Sequence, residues 1–275
     1  MELFYRDWIT DEAKGTILLI HGTSEHSGRY EHVAEFLVLH GYNVVTGDLP
    51  GWGRSPGLKG HIESFKQYLD AVATWLHMAQ AKLPRSLPFF VMGHSLGGLV
   101  ATRFIQEYAH PEQISGCILT SPCLKLKMDV PAWKASLAGL LDKVWPTLRM
   151  GNEIAPNHVT RDPKMQVQYN IDPLNFKKVS VRWFNELQRE MKNANERVKR
   201  MNLPLLVLQA GSDCLIDPVG IEKFVGQVPH EDRTFTAFPG LYHEVLNEPE
   251  RDQVLQCLIE WLDSQVQMNQ KTEIS

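Results

Sequence analysis

Phe89-Phe90-Val91-Met92-Gly93-His94-Ser95-Leu96-Gly97-Gly98 is the stretch that decides the fold. Its first four residues are apolar and read as a buried strand. Gly93 to Gly97 fits G-x-S-x-G, and residues 99–109 read as a helix. A strand, a sharp turn and a helix in that order form a nucleophile elbow, which lifts a serine hydroxyl onto a strained turn at the top of a sheet. Gly93 and Gly97 suit this because a side chain at either would obstruct the turn or the close packing of helix on strand. The pentapeptide alone is common, and the plain alternative is a glycine-rich turn that merely contains a serine. Its setting between strand and helix favours the elbow, with Ser95 as nucleophile.

Working outward, strand-like runs recur at residues 3–8, 16–20, 43–46, 116–120, 205–209 and 233–238. Helical patterns at 30–40, 62–82, 219–225 and 251–265 lie between most of them. This alternation predicts an α/β chain with a mostly parallel, doubly wound sheet. It breaks between 121 and 202, a stretch without a strand signal, which fits an inserted helical cap. The reading divides the chain into a core at 1–122 and 203–275 and a cap at 123–202. Within the cap, Val130, Trp133, Leu137, Leu140, Leu141, Val144 and Trp145 form an apolar stripe at helical spacing. Such a stripe is either buried against the body or faces a lipid surface.

A serine hydroxyl needs a base to take its proton. Where a sheet carries this elbow, the partners follow in the order Ser, Asp or Glu, His. His230 and His243 lie beyond residues 204–209. His230 precedes the last strand-like run and sits at its wrong end. His243 follows it, at the carboxyl end where open α/β sheets place their sites. The acid is Asp213 or Asp217. Asp217 precedes Pro218, an ordinary helix start with an N-cap, which leaves Asp213 to orient the imidazole and stabilise the imidazolium. The oxyanion hole needs backbone N–H groups. Leu96 supplies one, and Thr23, in the loop after residues 15–20, is chosen for the other.

At 275 residues and 43% hydrophobic content the chain can bury a large core. A net charge of −4 argues against nucleic acid, which calls for a basic face. No cationic start with an apolar run and no stretch of 18 to 20 apolar residues is present, so a cytoplasmic chain is expected. A peripheral membrane contact through the cap stays open, as does the oligomeric state. Cys117, Cys123, Cys214 and Cys257 lack metal-ligand spacing. Cys117 and Cys257 read as core residues. Cys214, beside Asp213, reads as a packed bystander in preference to a reactive thiol.

His21-Gly22-Thr23-Ser24-Glu25-His26-Ser27-Gly28-Arg29-Tyr30, Asp48-Leu49-Pro50-Gly51-Trp52-Gly53-Arg54-Ser55, the elbow, Thr160-Arg161-Asp162-Pro163 and Tyr169-Asn170-Ile171-Asp172-Pro173-Leu174 together resemble the monoacylglycerol lipase and lysophospholipase group of the α/β-hydrolases. The resemblance runs from residue 21 to 243. Ser24 stands where that group usually has glycine, and its Cβ discourages a positive φ. Trp52 replaces a usual histidine and Leu96 a usual methionine. Ser24 and Trp52 are expected to alter the alcohol side of the pocket. The resemblance implies an α/β-hydrolase fold and cofactor-free hydrolysis of a single-acyl lipid ester, foremost monoacylglycerol. It also implies a polar alcohol subsite involving Glu25, Arg29 and Tyr169. For Glu25 and Arg29 a salt bridge that only braces the loop is an equal reading. A lysophospholipase or short-chain carboxylesterase is the alternative activity, and a ligand-binding module of the same fold is the non-enzyme alternative.

Overall fold

The computed structural model describes residues 2–108, 114–128, 131–152 and 154–274. Ala109 and Val130, included in the helix and stripe above, lie outside them. Seven strands, β1 (Tyr5–Trp8), β2 (Gly15–Ile20), β3 (Tyr42–Gly47), β4 (Phe89–His94), β5 (Gly116–Thr120), β8 (Leu205–Ala210) and β9 (Arg233–Phe238), form one sheet in the order β1-β3-β2-β4-β5-β8-β9. β1 pairs antiparallel with β3, and every other pairing is parallel. The continuous apolar runs follow from this, because a parallel strand covered on both faces has no solvent side.

Alternate residues go to opposite faces. Leu18, Ile20, Val91, Leu119, Leu205 and Val207 point into one hydrophobic cluster, with α2 (Lys66–Lys82), α3 (Leu96–Glu107), α7 (Val181–Glu196) and α8 (Pro218–Gln227). Ile17, Leu19, Phe90, Met92, Ile118, Leu206 and Leu208 point into the other, with α1 (Glu31–Leu39) and α9 (Arg251–Ile274). Each fully buried Leu or Ile contributes about 1.5–3 kcal/mol, so the sheet is a rigid platform for the loops at its carboxyl edge.

The chain between β5 and β8 holds α4 (Ala132–Val144), β6 (Arg149–Gly151), α5 (Pro156–Val159), α6 (Pro163–Ile171), β7 (Lys178–Ser180) and α7. It is not wholly helical. β6 and β7 pair antiparallel over three residues each, too few for an alternation signal. The apolar stripe faces outward: Trp133 is 65% exposed, Leu140 63% and Val144 85%, with Leu137 and Trp145 also exposed. α4 rests on α7 by its other side, where Ala138 is buried, Asn185 Nδ2 donates to Ala138 O (3.1 Å) and Arg182 pairs with Asp142 (2.6 Å).

Two cysteine expectations are corrected. Cys257 is half-buried on α9, and Cys214 is exposed. Asp213 turns inward to accept the Leu215 and Ile216 N–H groups, which leaves Cys214 on the outer side of that turn. Trp52 also departs from expectation. It is buried in the core, donates from Nε1 to Tyr68 Oη (2.8 Å) and meets Trp183 edge-on, away from the cavity beside Ser95.

Candidate active site

The strand order reverses between β2 and β4, and loops at the carboxyl ends of both meet there, as expected at a topological switch point. β4 ends at His94 and α3 begins at Leu96, which leaves Ser95 on the turn at φ 50° and ψ −114°. A residue with a Cβ held so costs on the order of 1–3 kcal/mol. The surroundings impose it. Ser95 N–H donates to Thr120 O (3.0 Å), and Ser95 O accepts from the N–H groups of Leu99 (3.1 Å) and Cys123 (2.9 Å). A Cβ on Gly93 would strike the Gly97 carbonyl, and one on Gly97 the Ile20 carbonyl, so neither position admits a side chain.

His243, in the loop after β9, brings Nε2 to 2.9 Å from Ser95 Oγ and Nδ1 to 2.8 Å from Asp213 Oδ2. Asp213, in the loop after β8, accepts the N–H groups of Leu215 (2.8 Å) and Ile216 (3.0 Å) on Oδ1 and Gln209 Nε2 (3.3 Å) on Oδ2. A carboxylate that only accepts places the imidazole hydrogen on Nδ1 and frees Nε2 to receive the serine proton. Burial works against charge on His243, but the Asp213 carboxylate outweighs it and raises the imidazole above its ordinary value. Burial likewise opposes ionised Asp213, and His243 with the backbone donors holds that carboxyl below its usual range. His94, with its ring 4.9 Å from that of His243, is pushed down to about 4 by burial and then by His243, so it is neutral at pH 7. His230 stands before β9, where it pairs with the Asp232 N–H (3.1 Å), and Asp217 caps α8 through the Val219 N–H (3.2 Å).

Thr23, Glu25, Ser95, Tyr169, His243 and Glu244 line one small cavity, closed by Ile154, Val159 and Leu215. Leu96 opens α3 directly after Ser95. Glu25 Oε1 accepts from the Gly22 N–H (2.5 Å) and Tyr30 Oη (2.7 Å). Arg29 lies between two buried carboxylates, donating to Glu25 Oε2 (2.5 Å) and, as a fork, to both Glu244 oxygens (2.7 Å each). Burial opposes charge on Glu244, and Arg29 holds it down to about 2. The Tyr169 ring packs under Arg29 at 5.0 Å, while its buried hydroxyl lies beside Asn152 without a partner in hydrogen-bond geometry. Arg29 thus ties Glu25 to Glu244 and does not line the cavity, whereas Glu25 and Tyr169 do.

Sequence reasoning missed Glu244, Gln209 and Asn152. Glu244 was detectable only as the neighbour of His243, and the other two carried no signal. It also gave the wrong expectation at residue 24, which does adopt φ 62°. Among the described residues, no group of three or more His, Cys, Asp or Glu is arranged to hold a metal ion, and no helix is long and apolar enough to cross a membrane.

A family model described as serine aminopeptidase, S33, matches residues 11–250. A phospholipase of Bacillus subtilis (strain 168), YtpA, is 36% identical over 94% of this chain and 99% of its own. A monoacylglycerol lipase of Mycolicibacterium smegmatis (strain ATCC 700084 / mc(2)155) is 31% identical over 96% and 94%. The crystal structure of the Paleococcus ferrophilus monoacylglycerol lipase superposes with a TM-score of 0.87, at 30% identity, over 96% of this chain and all of that one.

Proposed function

This chain belongs to the serine aminopeptidase S33 family of α/β-hydrolases, and from that premise we propose that Ser95, His243 and Asp213 cleave single-acyl glycerides, foremost monoacylglycerol to fatty acid and glycerol. It is an ester hydrolase. The observation that carries the residue assignment is the unbroken line from Asp213 Oδ2 through His243 to Ser95 Oγ at 2.8 and 2.9 Å.

In this reading Ser95 Oγ attacks the ester carbonyl while His243 Nε2 takes its proton. The oxyanion develops toward the N–H groups of Thr23 and Leu96, where fixed donors stabilise the transition state more than the ground state. His243 then protonates the leaving alkoxide, and water, activated by the same imidazole, releases the acid. Residues 123–202 form the cap. The exposed stripe on α4, led by Trp133, Leu140 and Val144, seats the acyl entrance against a lipid surface. The unpartnered Tyr169 hydroxyl and Glu25 form the polar end that receives the alcohol. A buried hydroxyl without a partner costs about 1–3 kcal/mol, which a substrate hydroxyl recovers.

A second reading, a phospholipid ester, is favoured by the higher identity to the Bacillus phospholipase. Hydrolysis of matched monoacylglycerol, lysophospholipid, methyl and nitrophenyl esters at one acyl length tests both. A preference for monoacylglycerol that Tyr169→Phe removes supports the first. A preference for the lysophospholipid, unaffected by Tyr169→Phe, replaces it with the second.

A further inference from the structure

The loop after β2 must place the Thr23 N–H to within a fraction of an ångström, and its anchors differ along its length. Gly22 is held by Glu25 Oε1 (2.5 Å). Ser27 is held through both N–H (2.8 Å) and Oγ (2.6 Å) by Asp48, a carboxylate kept ionised against burial by His21 and these donors. Glu25 belongs to the loop itself and Asp48 directly follows β3, so neither anchor comes from the chain between β5 and β8. Ser24, next to Thr23, is tied elsewhere: its Oγ accepts from Asn152 Nδ2 at 2.7 Å, and Asn152 lies directly after β6, between β5 and β8. The link is buried at Ser24. Asn152 is itself fixed, its N–H donating to Lys177 O (3.1 Å) and its Oδ1 accepting the Ile154 N–H (3.2 Å).

Ser24 stands at φ 62°. Glycine would adopt that conformation freely, whereas a residue with a Cβ holds it only where its surroundings over-determine it. The side chain that brings this strain also supplies the oxygen that Asn152 grips. We propose that Asn152 and Ser24 are positioning residues for the oxyanion loop, so that the cap takes part in stabilising the transition state as well as shaping the entrance. This rests on the esterase reading above. A reacting group misplaced by about 1 Å loses about 10²-fold in rate, and outright loss of one oxyanion donor costs about 10²–10³. Loosening the loop should therefore fall at or below the lower figure.

The test uses the full chain with nitrophenyl butyrate, an ester too short to need the acyl entrance. Asn152→Ala, Ser24→Ala, Ser24→Gly and the double variant Asn152→Ala/Ser24→Gly are compared, with thermal melting to establish folding. The expected result is a fall in kcat of about 10- to 100-fold with KM within about twofold, a matching loss of affinity for a trifluoromethyl ketone transition-state analogue, and no further loss in the double variant. Ser24→Gly relieves the backbone strain and removes the oxygen. If it alone retains full kcat, or if losses fall in KM, or if the single losses multiply in the double variant, the proposal is overturned. If even the parent chain neither hydrolyses esters nor labels with a fluorophosphonate, the esterase reading fails and takes this one with it. An active parent with unaffected variants refutes the positioning role alone.

Discussion

Replacing Arg29 with methionine should unfasten the two loops that carry Thr23 and His243, and the size of the effect follows from the structure. The guanidinium is 8% exposed, and its partners Glu25 and Glu244 are 2% and 5% exposed. Methionine keeps most of the stem and removes the charge, stranding two buried carboxylates. Breaking a buried pair by removing one partner costs about 3–5 kcal/mol, because the remaining charge is uncompensated. At roughly 2–4 °C per kcal/mol for a chain of this size, the melting temperature should fall by about 10 °C at pH 7.5. The pH dependence carries a definite sign. Glu244, held down to about 2 by Arg29 against its burial, contributes stability that is complete above the unfolded carboxyl value and lost as pH falls toward 2. Without Arg29, burial raises the same carboxyl, so acid relieves the variant while it weakens the parent. The deficit should shrink between pH 7.5 and pH 4.5. Adding Glu244→Gln should restore part of the melting temperature. Calorimetry of the three chains at both pH values measures this. A drop under about 2 °C at neutral pH, or a deficit that grows on acidification, would refute the argument.

Ser95→Ala and His243→Ala should remain folded and lose on the order of 10³–10⁶ in kcat, with Asp213→Asn somewhat less; Asp217→Asn, at the cap of α8, should keep most of the rate, and the opposite ranking of the two aspartates would reassign the acid. The acid limb of kcat/KM should have its midpoint above pH 6.5, because Asp213 outweighs burial and raises His243, which must be neutral to act as base. Asp213→Asn should move the residual limb to lower pH, and a limb that stays in place would show that another group titrates there. Leu137→Asp on the exposed face of α4 should flatten the dependence of kcat/KM on acyl length, since each methylene withdrawn from water is worth about 0.8 kcal/mol; equal losses on acetate and long-chain esters would make α4 a support only.

The sheet was legible chiefly through β2, β4, β5 and β8, which are short, buried and largely apolar runs, and the elbow because only glycine fits the packing at 93 and 97. Ser95 and His243 followed from chain order, and Asp213 from Asp217 having an evident duty at a helix start. What stayed hidden depends on distance in the chain. Nothing near Arg29 announces that Glu244 will lie across from it, since the pair spans 215 positions. β6 and β7 are three residues each, too short to show a period of two. Ser24 stands at φ 62° against local preference, with its hydroxyl bonded to Asn152 across 128 positions, and Trp52 lies in the core, where a buried tyrosine hydroxyl accepts its N–H. Local rules fail at these positions because tertiary partners supply the deciding interaction.

The insertion between β5 and β8 has a consequence for the chain as it is made. Strands β1 to β5 can assemble while later residues are still being synthesised, but the partner of β5 is β8, and all of 121–204 must emerge first. Lengthening such a connection adds little to its closure entropy, about 0.6 kcal/mol per doubling, so equilibrium stability scarcely registers it. Synthesis does register it, because an interior parallel strand with one side unpaired is a template for another chain. Cys117-Ile118-Leu119-Thr120 is such an edge until Leu205–Ala210 arrives, and Asp213 and His243 arrive later still. A nascent or truncated chain ending before residue 205 is therefore predicted to be both inactive and adhesive, and ribosome-bound chaperones would be its first customers.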